Sequence, residues 1–429
     1  MQAGFARRDI TPPLGSAMAG WCTRDLARGC DHVLDPLYVR LLALEHAGER
    51  ALLVAFDLLF LGRELSDRLK GALGSRFDLA PRQILLNASH NHAGPADGGY
   101  GFAVFDRPDP LDLDAIVEAT LAAAEEAMGA LQEVTITAGV GRSQVPVCRR
   151  RADAAGCFHN APNLAGFVYD KLPVCRLESR AGETVALLFS IASHPTIVYG
   201  HGISADYPGA AAGAVDAWLG HPAAIFLQGC GADSKPRQQI SGEDWITADQ
   251  ALAVLAGETL AAEVIDVCGR LRPVEPALRT ALTEVDWPLQ PALNREEYAA
   301  QLTGNRNDLK QRSLALQVER LDRGQTLTDS APLLVQGIQL GEGLRLVAIE
   351  GEPCAPFAHQ AEGFFGAGVT FPLGYSNGTG LYLVTTQQLA EGGYEPESYW
   401  EYLFPAPPRA GFEHPLAEAL VKLSEAGIA

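Results

Sequence analysis

Three stretches of this chain, 38–87, 172–228 and 334–373, spell the same order of elements. In the first, apolar runs at 39–45 and 50–57 flank a turn at 46–49. The spacing of Leu65, Leu69 and Leu73 then predicts a helix over 62–77, and 83–86 reads as a short buried strand. In the second, strands at 174–178 and 184–191 flank a turn at 179–183, an Ala-rich helix covers 209–219, and a strand follows at 223–227. In the third, strands at 335–340 and 344–349 flank 341–343, a helix covers 356–365, and 369–373 is again a strand. Hairpin, helix and strand, three times over, predict a mixed α/β fold in which layered sheets built from these units are covered by helices. We expect a single domain over 1–429, with units at 38–95, 172–236 and 334–395. A further helix is expected over 112–131, and the polar helical stretch 290–330 reads as an insertion or lid over the layered core.

Composition narrows the function. Asp and Glu number 52 against 33 Lys and Arg, a formal charge of −19. A polyanion such as DNA is repelled by that field, so nucleic-acid binding is excluded as a main role. No run of 18 apolar residues exists, and no stable membrane insertion is expected. The eight cysteines (Cys22, Cys30, Cys148, Cys157, Cys175, Cys230, Cys268 and Cys354) form no CxxC pair and read mostly as small core residues of a reducing compartment. The first residues, Met1-Gln-Ala-Gly-Phe-Ala-Arg-Arg-Asp9, carry no apolar leader. Together these features lead us to expect a cytoplasmic location. No phosphate-binding glycine loop is recognisable, so a nucleotide cofactor has no support.

Polar clusters stand where the buried strands end, which is where open α/β sheets form binding sites. Ser89-His90-Asn91-His92 follows the strand of the first unit. If the backbone stays extended there, the two rings point to opposite sides; if it turns at once, both face the cleft. His194 follows the strand at 184–191, and Glu352, between Gly351 and Pro353, takes the equivalent place in the third unit. Neutral imidazoles with a carboxylate are the usual donors of a catalytic zinc. One competing motif is Gly374-Tyr375-Ser376-Asn377-Gly378, which fits the nucleophile elbow G-x-S-x-G. That elbow needs a helix directly after it and a base histidine later in the chain. Residues 379–386 are β-like and His414 is the only later histidine, so a serine hydrolase is set aside.

With further segments, these residues resemble the neutral/alkaline, non-lysosomal ceramidase family, the zinc amidases that cleave ceramide to sphingosine and a fatty acid. Gly4-Phe-Ala-Arg-Arg-Asp-Ile-Thr-Pro-Pro13, with Gly20 after it, looks like the start of that family. Asn87-Ala-Ser-His-Asn-His-Ala-Gly-Pro95 is similar to its S/T-H-T-H-S-G-P motif, and Ser193-His-Pro-Thr196 to its second histidine motif. Gly351-Glu-Pro353 is similar to its G-E motif, and 377–382 with Gly393-Tyr-Glu395 to its two-tyrosine segment. The likeness covers roughly residues 1 to 405, and the order of five short motifs makes it specific. It implies a ceramidase-like catalytic domain with Zn2+ held by His90, His194, Glu352 and Tyr382. It also implies that His92 helps bind or polarise the substrate and that Tyr394 stabilises the oxyanion. Arg149, or Arg150 one register along, would be the active-site arginine.

The chain departs from the family at its G-D-x-S-P segment. Ala232-Asp-Ser-Lys-Pro236 puts Lys235 where the serine stands, with Ser234 one position early. The likeness stops before the family's C-terminal immunoglobulin-like domain, and none is expected. A small-molecule or lipid-like acyl substrate is therefore expected in place of ceramide itself. The resulting expectation is a zinc-dependent amidohydrolase in which a metal-activated water attacks the carbonyl of an N-acyl amide. Tyr394 and Arg149 would hold the oxyanion, and Asp233 or His92 would take the proton. The same site would also suit an esterase or lactonase, and the fold without catalysis would make a metal- or ligand-binding protein.

Overall fold

The structure, a computed structural model, describes residues 1–21, 23–25, 27–95, 111–304, 307–378 and 380–429, without the side chain of Asp308. Cys22 and Thr379 lie outside the described residues.

All three repeated units form, and they share one topology. In the first, Tyr38–His46 and Glu49–Phe56 pair antiparallel, the helix Arg63–Phe77 crosses over, and Ile84–Ala88 returns parallel to Glu49–Phe56. In the second, Lys171–Ser179 pairs with Thr184–Ile191, Asp206–Leu219 crosses over, and Ala224–Gln228 returns parallel. In the third, the same path runs through Ser330–Gly341, Leu344–Ile349, Ala355–Phe365 and Val369–Leu373. The first hairpin closes through Ala47 and Gly48, both at positive φ (51° and 85°), a turn whose twist matches that of the strands.

A nine-stranded sheet holds the first two units. Its order is Ala224–Gln228, Thr184–Ile191, Lys171–Ser179, Gln132–Arg142, Gln2–Asp9, Tyr38–His46, Glu49–Phe56, Ile84–Ala88, with Arg272–Val274 also paired to Gln132–Arg142. A four-stranded sheet, Pro276–Pro288, Ser330–Gly341, Leu344–Ile349 and Val369–Leu373, holds the third. Their inner faces share one buried cluster, in which Leu42, Leu53, Leu188 and Leu227 meet Ile338, Leu346 and Phe371. Each unit covers its outer face with a helix pair. Leu69 and Ile116 lie under the first pair, Val215 and Leu260 under the second, and Phe357 and Leu420 under the third. Burying one such side chain contributes about 1.5–3 kcal/mol.

The three crossover strands finish together, and Asn87 fastens their ends. Its Nδ2 donates to the Gly374 carbonyl (2.8 Å) and to Ser376 Oγ (3.0 Å), while its Oδ1 accepts from the Gln228 N–H (2.9 Å). The stretch 290–330 forms the helices Arg295–Gly304 and Asp308–Asp322. They grip the segment 398–405: Tyr298 Oη donates to the Pro405 carbonyl (2.7 Å) and Gln317 Nε2 to that of Leu403 (3.1 Å). The seven described cysteines are free thiols, five of them buried, with Cys268 half-buried and Cys157 exposed. Among the described residues no helix is long and apolar enough to cross a membrane.

Candidate active site

Two strand ends in each of the first two units build the centre, with exchanged roles. His90 lies three residues past Asn87, and its Nδ1 donates to the carbonyl of Leu59, three residues past Phe56 (3.0 Å). In the second unit the imidazole sits on the other strand end. His194 lies three residues past Ile191, and its Nδ1 donates to the carbonyl of Gly231, three residues past Gln228 (2.8 Å). His90 adopts φ +62°, a left-handed turn that settles how the two neighbouring histidines point. The chain turns at once, and His90 and His92 face each other with their Nε2 atoms 3.1 Å apart. His92 Nδ1 donates to the carbonyl of Gly20 (2.5 Å). A carbonyl can only accept, so all three rings carry their proton on Nδ1 and turn the Nε2 lone pair inward. These three rings offer ligand nitrogens within 4.8 Å of one another and could hold a metal ion.

Glu352 arrives from the third unit, three residues past Ile349. Its Oε2 stands 3.4 Å from His90 Nε2 and 3.2 Å from His194 Nε2. Tyr382 is the register partner of Glu352 in the short parallel pair Glu352–Pro353 with Tyr382–Leu383, and its hydroxyl lies 3.4 Å from His194 Nε2. A tetrahedral zinc with bonds near 2.0–2.1 Å separates neighbouring donors by about 3.3 Å. The contacts among His90, His194, Glu352 and Tyr382 run from 3.2 to 3.4 Å, so this donor set fits that ion in chemistry and in spacing. Beside it lies a cavity of about 20 Å³ lined by His90, His92, Glu352, Tyr382, Tyr394 and Tyr402, room for about one water or ion.

Burial favours neutral imidazoles at His92 and His194. Burial, then the charge of Arg149, brings His194 down to about 3. Burial and its two imidazole neighbours hold His92 well below the ordinary histidine range. Burial alone would raise the Glu352 carboxyl, but His90 and His194 outweigh it and keep the group well below the usual carboxylate range.

Arg149, and not Arg150, reaches the centre. Its Nη2 donates to the Tyr382 hydroxyl (3.1 Å) and its Nε to Glu395 Oε1 (2.8 Å). Arg150 turns to Glu395, to Glu391 (3.1 Å) and to the Gly392 carbonyl (2.8 Å). Tyr394, 39% exposed, stands beside Tyr382 with ring centres 5.6 Å apart and donates its hydroxyl proton to Glu401 (2.9 Å). Asp233 is not brought to the imidazoles. Its Oδ1 accepts from the Ala355 N–H at the first turn of the helix Ala355–Phe365, and its Oδ2 from Gln388, both at 2.8 Å. Ser234 Oγ donates to the Ala192 carbonyl (2.6 Å), facing away from Arg149. Ser376 is fully buried, donates to the Gly374 carbonyl (2.7 Å), and has the short strand Tyr382–Leu383 after it instead of a helix, so no nucleophile elbow forms.

Sequence reasoning missed three residues here. Tyr375 stacks on His90 with ring centres 4.2 Å apart and its hydroxyl donates to Glu352 Oε2 (3.4 Å). Tyr402 donates to Glu352 Oε1, and Glu395 clamps both arginines. Tyr375 lies inside the G-x-S-x-G segment, where no local signal ties its ring to the histidines. Nothing local marked Tyr402.

No family model matches the sequence, and no curated protein matches it. Solved structures do. A neutral ceramidase from Pseudomonas aeruginosa superposes with a TM-score of 0.74 at 18% identity, over 99% of this chain and 74% of that one. A ceramidase complexed with C2 gives 0.73 at 16% identity, over 99% and 75%. The mixed α/β architecture built here from three hairpin–helix–strand units is the fold of the neutral ceramidases.

Proposed function

We propose that this chain is a zinc-dependent, ceramidase-like amidohydrolase that cleaves the C–N bond of an N-acyl amide. One observation carries the proposal. Each Nδ1–H is committed to a backbone carbonyl, so three Nε2 lone pairs converge beside an ionised carboxylate. The His90 and His194 lone pairs face the Glu352 carboxylate at 3.4 and 3.2 Å, a repulsion that a cation between these donors relieves. His90, His194, Glu352 and Tyr382 are the ligands in this account. Bound there, zinc supplies a Lewis acid and an activated water.

The chain's own residues do the rest. Glu395 locks Arg149, whose guanidinium holds the Tyr382 hydroxyl in place and keeps positive charge at the centre. Tyr394, at the mouth, can turn its hydroxyl from Glu401 to a substrate carbonyl oxygen and stabilise the charge that develops there. Of the two proton acceptors considered, both oxygens of Asp233 are occupied by framework donors, whereas His92 keeps its Nε2 at the edge of the cavity. We assign the proton to His92. The test is an assay panel of N-acyl amines, esters and lactones on protein of known zinc content. Chelator-sensitive amide cleavage restored by zinc is expected. Cleavage of esters or lactones with no amide turnover would overturn the amidase assignment.

A further inference from the structure

Lys235 is a buried cation that the mechanism above leaves unused. The strand Ser234–Pro236 pairs antiparallel with Pro146–Ala152, placing Lys235 opposite Val147 and Ser234 opposite Cys148. Cross-strand partners share a face, and so do alternate residues of one strand. Lys235 therefore lies on the face of Val147 and Arg149, the arginine that reaches Tyr382, while Ser234 faces the opposite way. Its Nζ lies 5.9 Å from the Trp21 ring and 5.7 Å from the Trp245 ring. Trp21 in turn packs edge-on against His92, with ring centres 5.6 Å apart.

These three donors lack acceptors. Lys235 is only 8% exposed, and among the described residues its side chain makes no hydrogen bond or ion pair. The indole Nε1 atoms of Trp21 and Trp245 are buried with no partner. A buried donor left without an acceptor, as each indole N–H is, is destabilising. Burial, with the nearby charge of Arg149, accordingly lowers Lys235 to about 7. The cluster of one cation and two neutral N–H groups stands one ring away from His92, in a protein whose net charge of −19 disfavours anions elsewhere. A carboxylate, a compact monoanion with about four lone-pair sites, matches that donor set.

We propose that Lys235 and the indole N–H groups of Trp21 and Trp245 form a subsite for a substrate carboxylate, so that the preferred substrates are N-acyl amides carrying an acid group near the scissile bond, as N-acyl amino acids do. The proposal rests on the amidase assignment for its substrate class but not for the subsite itself, and two readouts separate them. Hydrolysis of N-lauroylglycine is compared with that of its neutral isostere N-lauroylglycinamide. Independently, tryptophan fluorescence is followed as the protein is titrated with N-acetylglycine and with N-acetylglycinamide. We expect kcat/KM roughly 10- to 100-fold higher for the carboxylate, and a saturable fluorescence change with N-acetylglycine only. Lys235→Met should bring the kcat/KM ratio towards one and abolish the fluorescence change. Trp245→Phe, which keeps an aromatic ring but deletes the N–H, should weaken N-acetylglycine several-fold, with circular dichroism verifying the fold of both variants. If neither amide is cleaved while fluorescence still discriminates the carboxylate, the amidase assignment fails and the subsite stands. If wild type shows no preference in either readout, or Lys235→Met retains it, Lys235 is only a cation clamped between two indoles and the subsite is overturned.

Discussion

Replacing Gly20 with alanine probes how precisely His92 must be held. Gly20 sits at φ +98°, a conformation that costs a residue with a side chain about 1–3 kcal/mol. Its carbonyl accepts the Nδ1–H of His92 at 2.5 Å. An added Cβ would stand 2.9 Å from that same Nδ1 and 3.0 Å from His92 Cα. One of those atoms is backbone, so it cannot rotate away, and either the loop or His92 must shift. The hydrogen bond to the ring, worth about 0.5–1.5 kcal/mol, goes with it. Gly20→Ala should therefore lose roughly 2–4 kcal/mol of stability, read from urea unfolding. Losing the partner that orients such an imidazole typically lowers activity by about 10–100-fold, so kcat/KM at saturating zinc should fall by that order even where the variant is fully folded. An alanine variant with the wild-type unfolding midpoint and wild-type kcat/KM would refute the claim that Gly20 positions His92.

Two further substitutions address residues at the ends of the crossover strands. Ser376→Ala should lose about 1 kcal/mol of stability and keep its turnover, because Ser376 Oγ bonds only within the framework; loss of turnover with the fold intact, or labelling of Ser376 by a covalent serine reagent, would speak against this. For Asp233, burial raises the carboxyl from 3.8 to about 6, so the folded protein binds that proton more tightly than the unfolded chain does. Its contribution to stability is then complete below about pH 4 and is lost as the pH rises to about 6, by roughly 3 kcal/mol in all. Asp233→Asn should remove that part of the pH dependence. A difference between wild type and Asp233→Asn that stays constant over pH 4–6 would contradict the account.

Much of the layout was legible because it is periodic and local. The apolar runs, the helix spacing of Leu65, Leu69 and Leu73, and the turns at 46–49 and 341–343 mark three units, and all three formed. The strand ends then indicated His90, His194 and Glu352, since a polar residue directly after a buried apolar run is a local signal. What the sequence left open depends on backbone conformation or on distant pairing. Whether His90 and His92 face the same way turned on the left-handed φ of His90, which non-glycine residues seldom adopt. The choice between Arg149 and Arg150 depended on Glu395, more than 200 residues away in the chain. Asp233 sits in a glycine-rich strand end that looked suited to a proton acceptor, yet the N-terminus of the helix Ala355–Phe365 and Gln388 take both of its oxygens. Asn87 reads as an ordinary strand residue, and its role as the hub of three strand ends emerges only when those ends are side by side.

The most direct test of the central claim is the zinc content of the purified protein and of its His90→Ala and His194→Ala variants, measured by inductively coupled plasma mass spectrometry after equal dialysis. Wild type should carry about one zinc per chain, and each variant should lose it while circular dichroism shows the fold retained. A folded variant with full zinc occupancy, or wild type that cleaves an N-acyl amide undiminished after its zinc is stripped, would contradict the account.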